Sequence, residues 1–111
     1  MPASLPPGLR DALAAYRRRL EERFGDALLE LRLFGSYATG RADEESAVDV
    51  FVVLRQAGRA ERRDAIDLAT DVMLETDFHV SPTVMDASTH RLHRRQERPL
   101  VMDVEREGIA I

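Results

Sequence analysis

Cysteine, lysine, asparagine and tryptophan are all missing from this chain of 111 residues. Without cysteine there are no disulfides and no thiolate metal sites. Without lysine the 16 basic residues are all arginine. Together with abundant alanine and aspartate, this composition points to a GC-rich genome, so an arginine at any one position is not by itself a sign of function. No apolar run approaches the ~18 residues of a membrane span, and the N-terminus lacks the apolar core of a secretory signal. A bacterial or archaeal cytoplasmic protein is therefore expected. The 20 acidic residues outnumber the basic ones and give a net charge of −4, which removes electrostatic support for a general nucleic-acid-coating role. Length and a hydrophobic share of 44% predict a single domain over residues 1–111, near the lower end of sizes that bury a self-sufficient core.

Residues 1–8 carry three prolines and a glycine and are expected to be an irregular lead-in. Leu9, Leu13, Tyr16, Leu20 and Phe24 then recur at spacings of three and four, which predicts an amphipathic helix ended by Gly25. Its other face interleaves Arg17, Arg18 and Arg19 with Glu21 and Glu22, the pattern of a solvated surface. Leu29, Leu31 and Leu33 alternate with Glu30 and Arg32 and predict a strand that leads into Gly35-Ser36. A short helical turn over 37–40 and an acidic loop, Asp43-Glu44-Glu45, precede Val48 to Leu54, an apolar run suited to a strand buried on both faces. Asp49 interrupts that run and is out of place by burial alone.

A turn at Gln56-Ala57-Gly58 and a helix over 60–75 follow, with Ile66, Ala69 and Met73 expected on its inner face. Phe78, Val80, Val84 and Met85 predict a third strand in which Pro82 removes a donor, arguing for an edge position or a bulge. Ser88 or Thr89 is expected to cap a helix running to Glu97, and Pro99 divides it from an amphipathic segment ended by Gly108. Ile109 to Ile111 would add a short last strand.

The densest information lies in Leu33-Phe34-Gly35-Ser36-Tyr37-Ala38-Thr39-Gly40 and in Glu45-Ser46-Ala47-Val48-Asp49-Val50-Phe51. A strand running into Gly-Ser and a helical turn offers free amides and a hydroxyl to a phosphate, so Gly35 and Ser36 are candidate phosphate-cradle residues. On a strand, residues i and i+2 project from one face, so Ala47 and Asp49 share a face, and Asp49 is the candidate metal ligand and catalytic carboxylate. This arrangement resembles the nucleotidyltransferase signature of the DNA polymerase β superfamily, in which Gly-Ser is followed after ten residues by Asp-x-Asp. It is most similar to the minimal nucleotidyltransferase family, small domains that often serve as antitoxins beside HEPN-domain toxins.

The resemblance implies an α/β fold of the polymerase β-like type, with a mixed sheet of three to four strands and packed helices. It also implies ATP as donor, Mg²⁺ as cofactor, AMP transfer onto a tyrosine of a HEPN-domain toxin, and a hetero-oligomeric complex with that toxin. The chain departs from the pattern in three places. Ala47 replaces the first metal-binding aspartate, Thr39 stands where many relatives carry an arginine, and Ser81 or His79 occupies the place of the third carboxylate. Transfer by this chain is therefore expected to be impaired, and a catalytically inactive module that neutralises its partner by complex formation is the alternative. Both an engineered replacement and natural degeneracy account for Ala47, and the missing third carboxylate favours the latter.

His90, His93 and Glu97 have a spacing that can ligate zinc. The surrounding Arg91, Arg94, Arg95 and Arg98 would repel a cation, so a solvated basic face is expected there, one that could also dock an acidic partner or RNA.

Overall fold

The computed structural model describes residues 5–111. Residues 1–4 of the expected lead-in lie outside the described residues, and the chain from residue 5 makes a bend and a turn before the first helix. Helix α1, Leu9–Phe24, buries Leu9, Leu13, Tyr16 and Leu20 as the periodicity predicts. It stops at Gly25, whose φ of 54° a side chain would resist.

Strand β1, Leu28–Phe34, pairs antiparallel with β2, Val48–Leu54. The register slips between Leu28 and Glu30. This bulge turns Leu29 outward, where it is 48% exposed, while Leu31 and Leu33 stay in the core. The expected inward alternation of Leu29, Leu31 and Leu33 thus fails at its first residue, because one extra residue on a strand exchanges its faces.

The short helix α2, Ser36–Thr39, and a loop join these strands. Helix α3, Arg59–Thr76, then crosses over to β3, Val80–Asp86, which runs parallel to β2. Helices α4, Ala87–Arg95, and α5, Pro99–Glu107, follow, and β4, Ile109–Ala110, returns antiparallel to β1. The sheet is mixed and four-stranded, as expected, and its order is β3-β2-β1-β4. Pro82 sits in β3 at the sheet edge, where a missing donor costs no ladder bond.

Two helical layers cover opposite faces of β2. Val48, Val50, Val52 and Leu54 join α1 and α3 in the larger core cluster. Phe51 and Val53 meet Met85 of β3 and Val101 and Val104 of α5 in a second cluster. Both faces of the strand are thereby sealed along most of its length, which explains its continuous apolar run.

Three local expectations are corrected. The buried stripe of α3 is Ala65, Ala69 and Val72, with Ile66 49% exposed and Met73 only partly covered. The Tyr16 hydroxyl donates to the Ala65 carbonyl at 2.9 Å, and these small residues let α1 approach closely. Burial pushes the Tyr16 hydroxyl far above its ordinary pKa, so it remains a donor. The cap of α4 is Asp86, not Ser88 or Thr89: its carboxylate accepts the Thr89 amide at 2.7 Å, and that bond holds its pKa low. The helix ends at Arg95, before Glu97 at a φ of 50°, since Pro99 forces extended backbone on Arg98.

Phe51→Ala should destabilise the protein by about 3–5 kcal/mol through the cavity it leaves between β2 and α5. Tyr16→Phe should cost only about 0.5–1.5 kcal/mol for its one hydrogen bond. Urea unfolding of both variants checks this ranking, and equal losses would contradict the two-layer packing.

Candidate functional site

The alternation that buries Phe51 and Val53 carries Asp49 onto the same face of β2, nearer its start, and Ala47 lies two residues earlier, just before the strand begins. The α4–α5 layer covers Phe51 and Val53, and both Ala47 and Asp49 are partly open. Phe34, the last residue of β1, pairs directly with Asp49. It meets Phe51 edge-on at 6.4 Å between ring centres and forms the apolar floor behind the carboxylate.

Gly35 lies immediately beyond, with a φ of 75° and a ψ of −154°. A methyl group on it would overlap Asp49 Oδ2 and come within 3.2 Å of Cγ. The carboxylate is thus seated on the bare Cα of Gly35, so Gly35 and Asp49, 14 positions apart, are brought together. The first helical bonds of α2 run from the amides of Ala38 and Thr39 to the Gly35 carbonyl, at 3.1 and 3.2 Å. Ser36 therefore opens the helix beside the carboxylate, with its amide outside the helical bonding. The Thr39 hydroxyl turns back to the Gly35 and Ser36 carbonyls, at 3.3 and 3.4 Å, and so takes no part in the opening where an arginine would reach.

In the parallel register Ser81 pairs with Asp49. Ser81, one of the two candidates for the place of a third carboxylate, thus stands beside Asp49 on the next strand and offers a hydroxyl. His79 lies two residues earlier, its carbonyl accepting the Val48 amide at 2.8 Å where β2 begins. Burial raises the pKa of Asp49, and the charge of His79 pulls it partly back.

An Mg²⁺ pair does not fit these residues. Magnesium requires several oxygen ligands in a near-octahedral shell, whereas Asp49 is the one carboxylate and Ala47 contributes a methyl group. Among the described residues no group of three His, Asp or Glu side chains converges to hold a metal. That covers the set His90, His93 and Glu97 as well. His90 is tilted against the Phe51 ring at 5.5 Å, and its Nε2 lies 3.7 Å from Glu30, so it is a packed residue and not part of a solvated face. Arg91, Arg94, Arg95 and Arg98 are exposed as expected, with Arg94 paired to Glu105.

A cavity next to this site was not anticipated. Its wall includes Tyr37, Phe78, His79 and the acidic loop. Each of these residues was visible in the sequence, but only the fold brings Phe78, before β3, beside the loop before β2.

Residues 13–101 match the family model of a nucleotidyltransferase domain. A protein from Methanocaldococcus jannaschii, provisionally named a protein adenylyltransferase, is 32% identical over 82 residues, covering 70% of this chain and 55% of its own length. This chain thus spans about half of that relative. A second protein of the same provisional name and organism is 31% identical over 75 residues, 67% of this chain and 76% of its own. The protein adenylyltransferase MntA of Thermococcus cleftensis is 43% identical over 44 residues, 40% of this chain and 42% of that one. A solved structure described as a minimal nucleotidyltransferase superposes with a TM-score of 0.64 at 25% identity, covering 93% of this chain and 92% of that one. A nucleotidyltransferase-type structure from Sulfolobus solfataricus shares the fold, with a TM-score of 0.51 at 15% identity over 98% of this chain and 90% of that one. The chain belongs to the nucleotidyltransferase-domain family, and within it to the minimal nucleotidyltransferases.

Gly35→Ala should destabilise the fold by about 2–4 kcal/mol, from the positive φ and the overlap with Asp49. Adding Asp49→Ala should recover the overlap share and leave the backbone share. Asp49→Asn addresses charge alone. Because the folded pKa of Asp49 is raised, its ionised form opposes folding, and that opposition fades as pH falls through the folded pKa. Thermal melts should show Asp49→Asn more stable than the parent at neutral pH, with the gain shrinking toward acid. A gain independent of pH would refute the desolvation account.

Proposed function

We propose that this chain is an antitoxin of the minimal nucleotidyltransferase type, acting in the cytoplasm on a HEPN-domain toxin, and that its adenylyl-transfer site is impaired at Ala47. The names of its relatives support adenylyl transfer as the chemistry of the type. In that reaction a tyrosine oxygen of the toxin bonds to the α-phosphorus of ATP, the bond to pyrophosphate breaks, and the hydroxyl proton is released. Gly35 and Ser36 would receive the phosphates through the open start of α2, with Asp49 beside them.

The observation that carries this reading is the solitary Asp49: its carboxylate lies against the bare Cα of Gly35, the candidate cradle residue, yet the residue two positions before it ends in a methyl group. A developing charge at the transferred phosphate would meet half of the expected carboxylate clamp. The second reading, a silent module that neutralises its partner by binding alone, is favoured by Ser81, whose hydroxyl stands opposite Asp49. Under both readings the chain works in a hetero-oligomeric complex.

The test is AMP transfer from α-labelled ATP with Mg²⁺ to the purified toxin, by the parent and by Ala47→Asp. The impaired-enzyme reading expects the Ala47→Asp form to label the toxin roughly 10²–10³-fold faster than the parent, the range for one lost electrostatic contact to a transition state. Equal labelling by both forms contradicts it. Neutralisation of the toxin with no labelling by either form establishes the silent module instead.

A further inference from the structure

The cavity beside the site has a volume of about 570 Å³, within the roughly 300–1,000 Å³ of pockets that enclose a ligand. Its apolar lining is formed by Leu5, Pro6, Tyr37, Ala42 and Phe78. Its rim carries Asp43, Glu44, Glu45 and Asp77, and no arginine lines it among the described residues. The rim is held in place by its own loop: the Asp43 carboxylate accepts the Glu45 amide at 2.9 Å and the Ser46 hydroxyl at 3.2 Å. Glu44, Glu45 and Asp77 are exposed and enter no ion pair among the described residues. These carboxylates are thus unneutralised around an apolar lining, in a chain whose other exposed acids are largely interleaved with arginines.

We propose that this cavity is a binding site for an arginine or lysine side chain presented on an exposed segment of a protein partner. The partly exposed Phe78 ring suits the cationic head of such a side chain, and the apolar Leu5, Pro6 and Ala42 suit its aliphatic stem. The four rim carboxylates repel an anion, so a triphosphate is excluded from the cavity and left to the start of α2. His79 belongs to the cavity wall, and its carbonyl accepts the amide of Val48, the neighbour of Asp49. A partner anchored here is therefore held next to the carboxylate, whether or not a group is then transferred. The inference rests on the reading that a protein partner is engaged, but not on catalysis.

The probe is a fluorescent Gly-Arg-Gly-Arg-Gly peptide, compared with its Glu-substituted counterpart and titrated at low salt. The arginine peptide should bind and shift the amide resonances of residues 40–46 and 77–79, and the glutamate peptide should not. The triple variant Glu44→Gln, Glu45→Gln, Asp77→Asn should weaken binding at least about tenfold. Asparagine tolerates the left-handed backbone of residue 77, so this variant keeps the local fold. A control with equal loss of charge, Glu21→Gln, Glu22→Gln, Asp67→Asn, removes carboxylates that do not line the cavity and should leave binding intact. Equal weakening by both variants, shifts elsewhere on the parent, or equal binding of the two peptides would overturn the proposal. The peptide titration is independent of the labelling assay, so a failed titration leaves the adenylyl-transfer reading standing, and the converse also holds.

Discussion

Strand Val48–Leu54 is covered by α1 and α3 on one face and by α4 and α5 on the other, and the site depends on where the second cover stops. Phe51 and Val53 lie under α5, while Asp49, two residues earlier on that face, stays partly open. A strand that is apolar on both faces is held in register by burial, because a one-residue slip would put Asp49 into the larger core and a valine into the opening. The same register sets Phe34 and Ser81 on either side of Asp49 and brings Gly35 beneath its carboxylate. The hydrophobic packing thus fixes the polar site to within side-chain reach, without a hydrogen bond to the Asp49 carboxylate among the described residues.

That fixed geometry makes the substitution at Ala47 chemically informative. A carboxylate partly removed from water has its charged form penalised, and a neighbouring cation ordinarily offsets this. His79 supplies a modest opposing charge, and the raised pKa of Asp49 shows that it does not fully compensate. With alanine at one neighbouring position and serine at the other, Asp49 lacks the second carboxylate that would let it share a divalent ion. The Gly35-Ser36 turn against Asp49 and the solitary carboxylate are both consequences of one intact backbone frame, since neither Ala47 nor Ser81 disturbs the strand pairing.

Much of this was legible in the sequence, for identifiable reasons. The periodicity of α1, the two-sided burial of β2 and the spacing from Gly35-Ser36 to Asp49 each depend on local pattern, and each appears where expected. Pro82 argued for an edge or a bulge because a central strand would lose a ladder donor, and β3 is an edge strand. The failures are tertiary. The bulge at Leu29 is invisible to alternation, and the inner stripe of α3 is chosen by the close approach of Tyr16 to Ala65 rather than by the larger Ile66. His90 looked like part of a charged face until the fold laid it on Phe51. The acidic cavity was missed for the same reason, since Phe78 and the loop over residues 43–46 are distant in sequence and adjacent only at the ends of β2 and β3.

The central claim is that an intact nucleotidyltransferase frame holds one carboxylate where a divalent ion needs more. Electron paramagnetic resonance of Mn²⁺ measures this directly, since bound ions lose the sharp signal of the free hexaaqua ion, and it requires neither a partner nor turnover. Titration of the parent and of Ala47→Asp should show at most weak binding in the parent and at least about tenfold tighter binding when an aspartate restores the second carboxylate two residues before Asp49. Tight stoichiometric Mn²⁺ binding by the parent, unchanged by Ala47→Asp, would contradict the account.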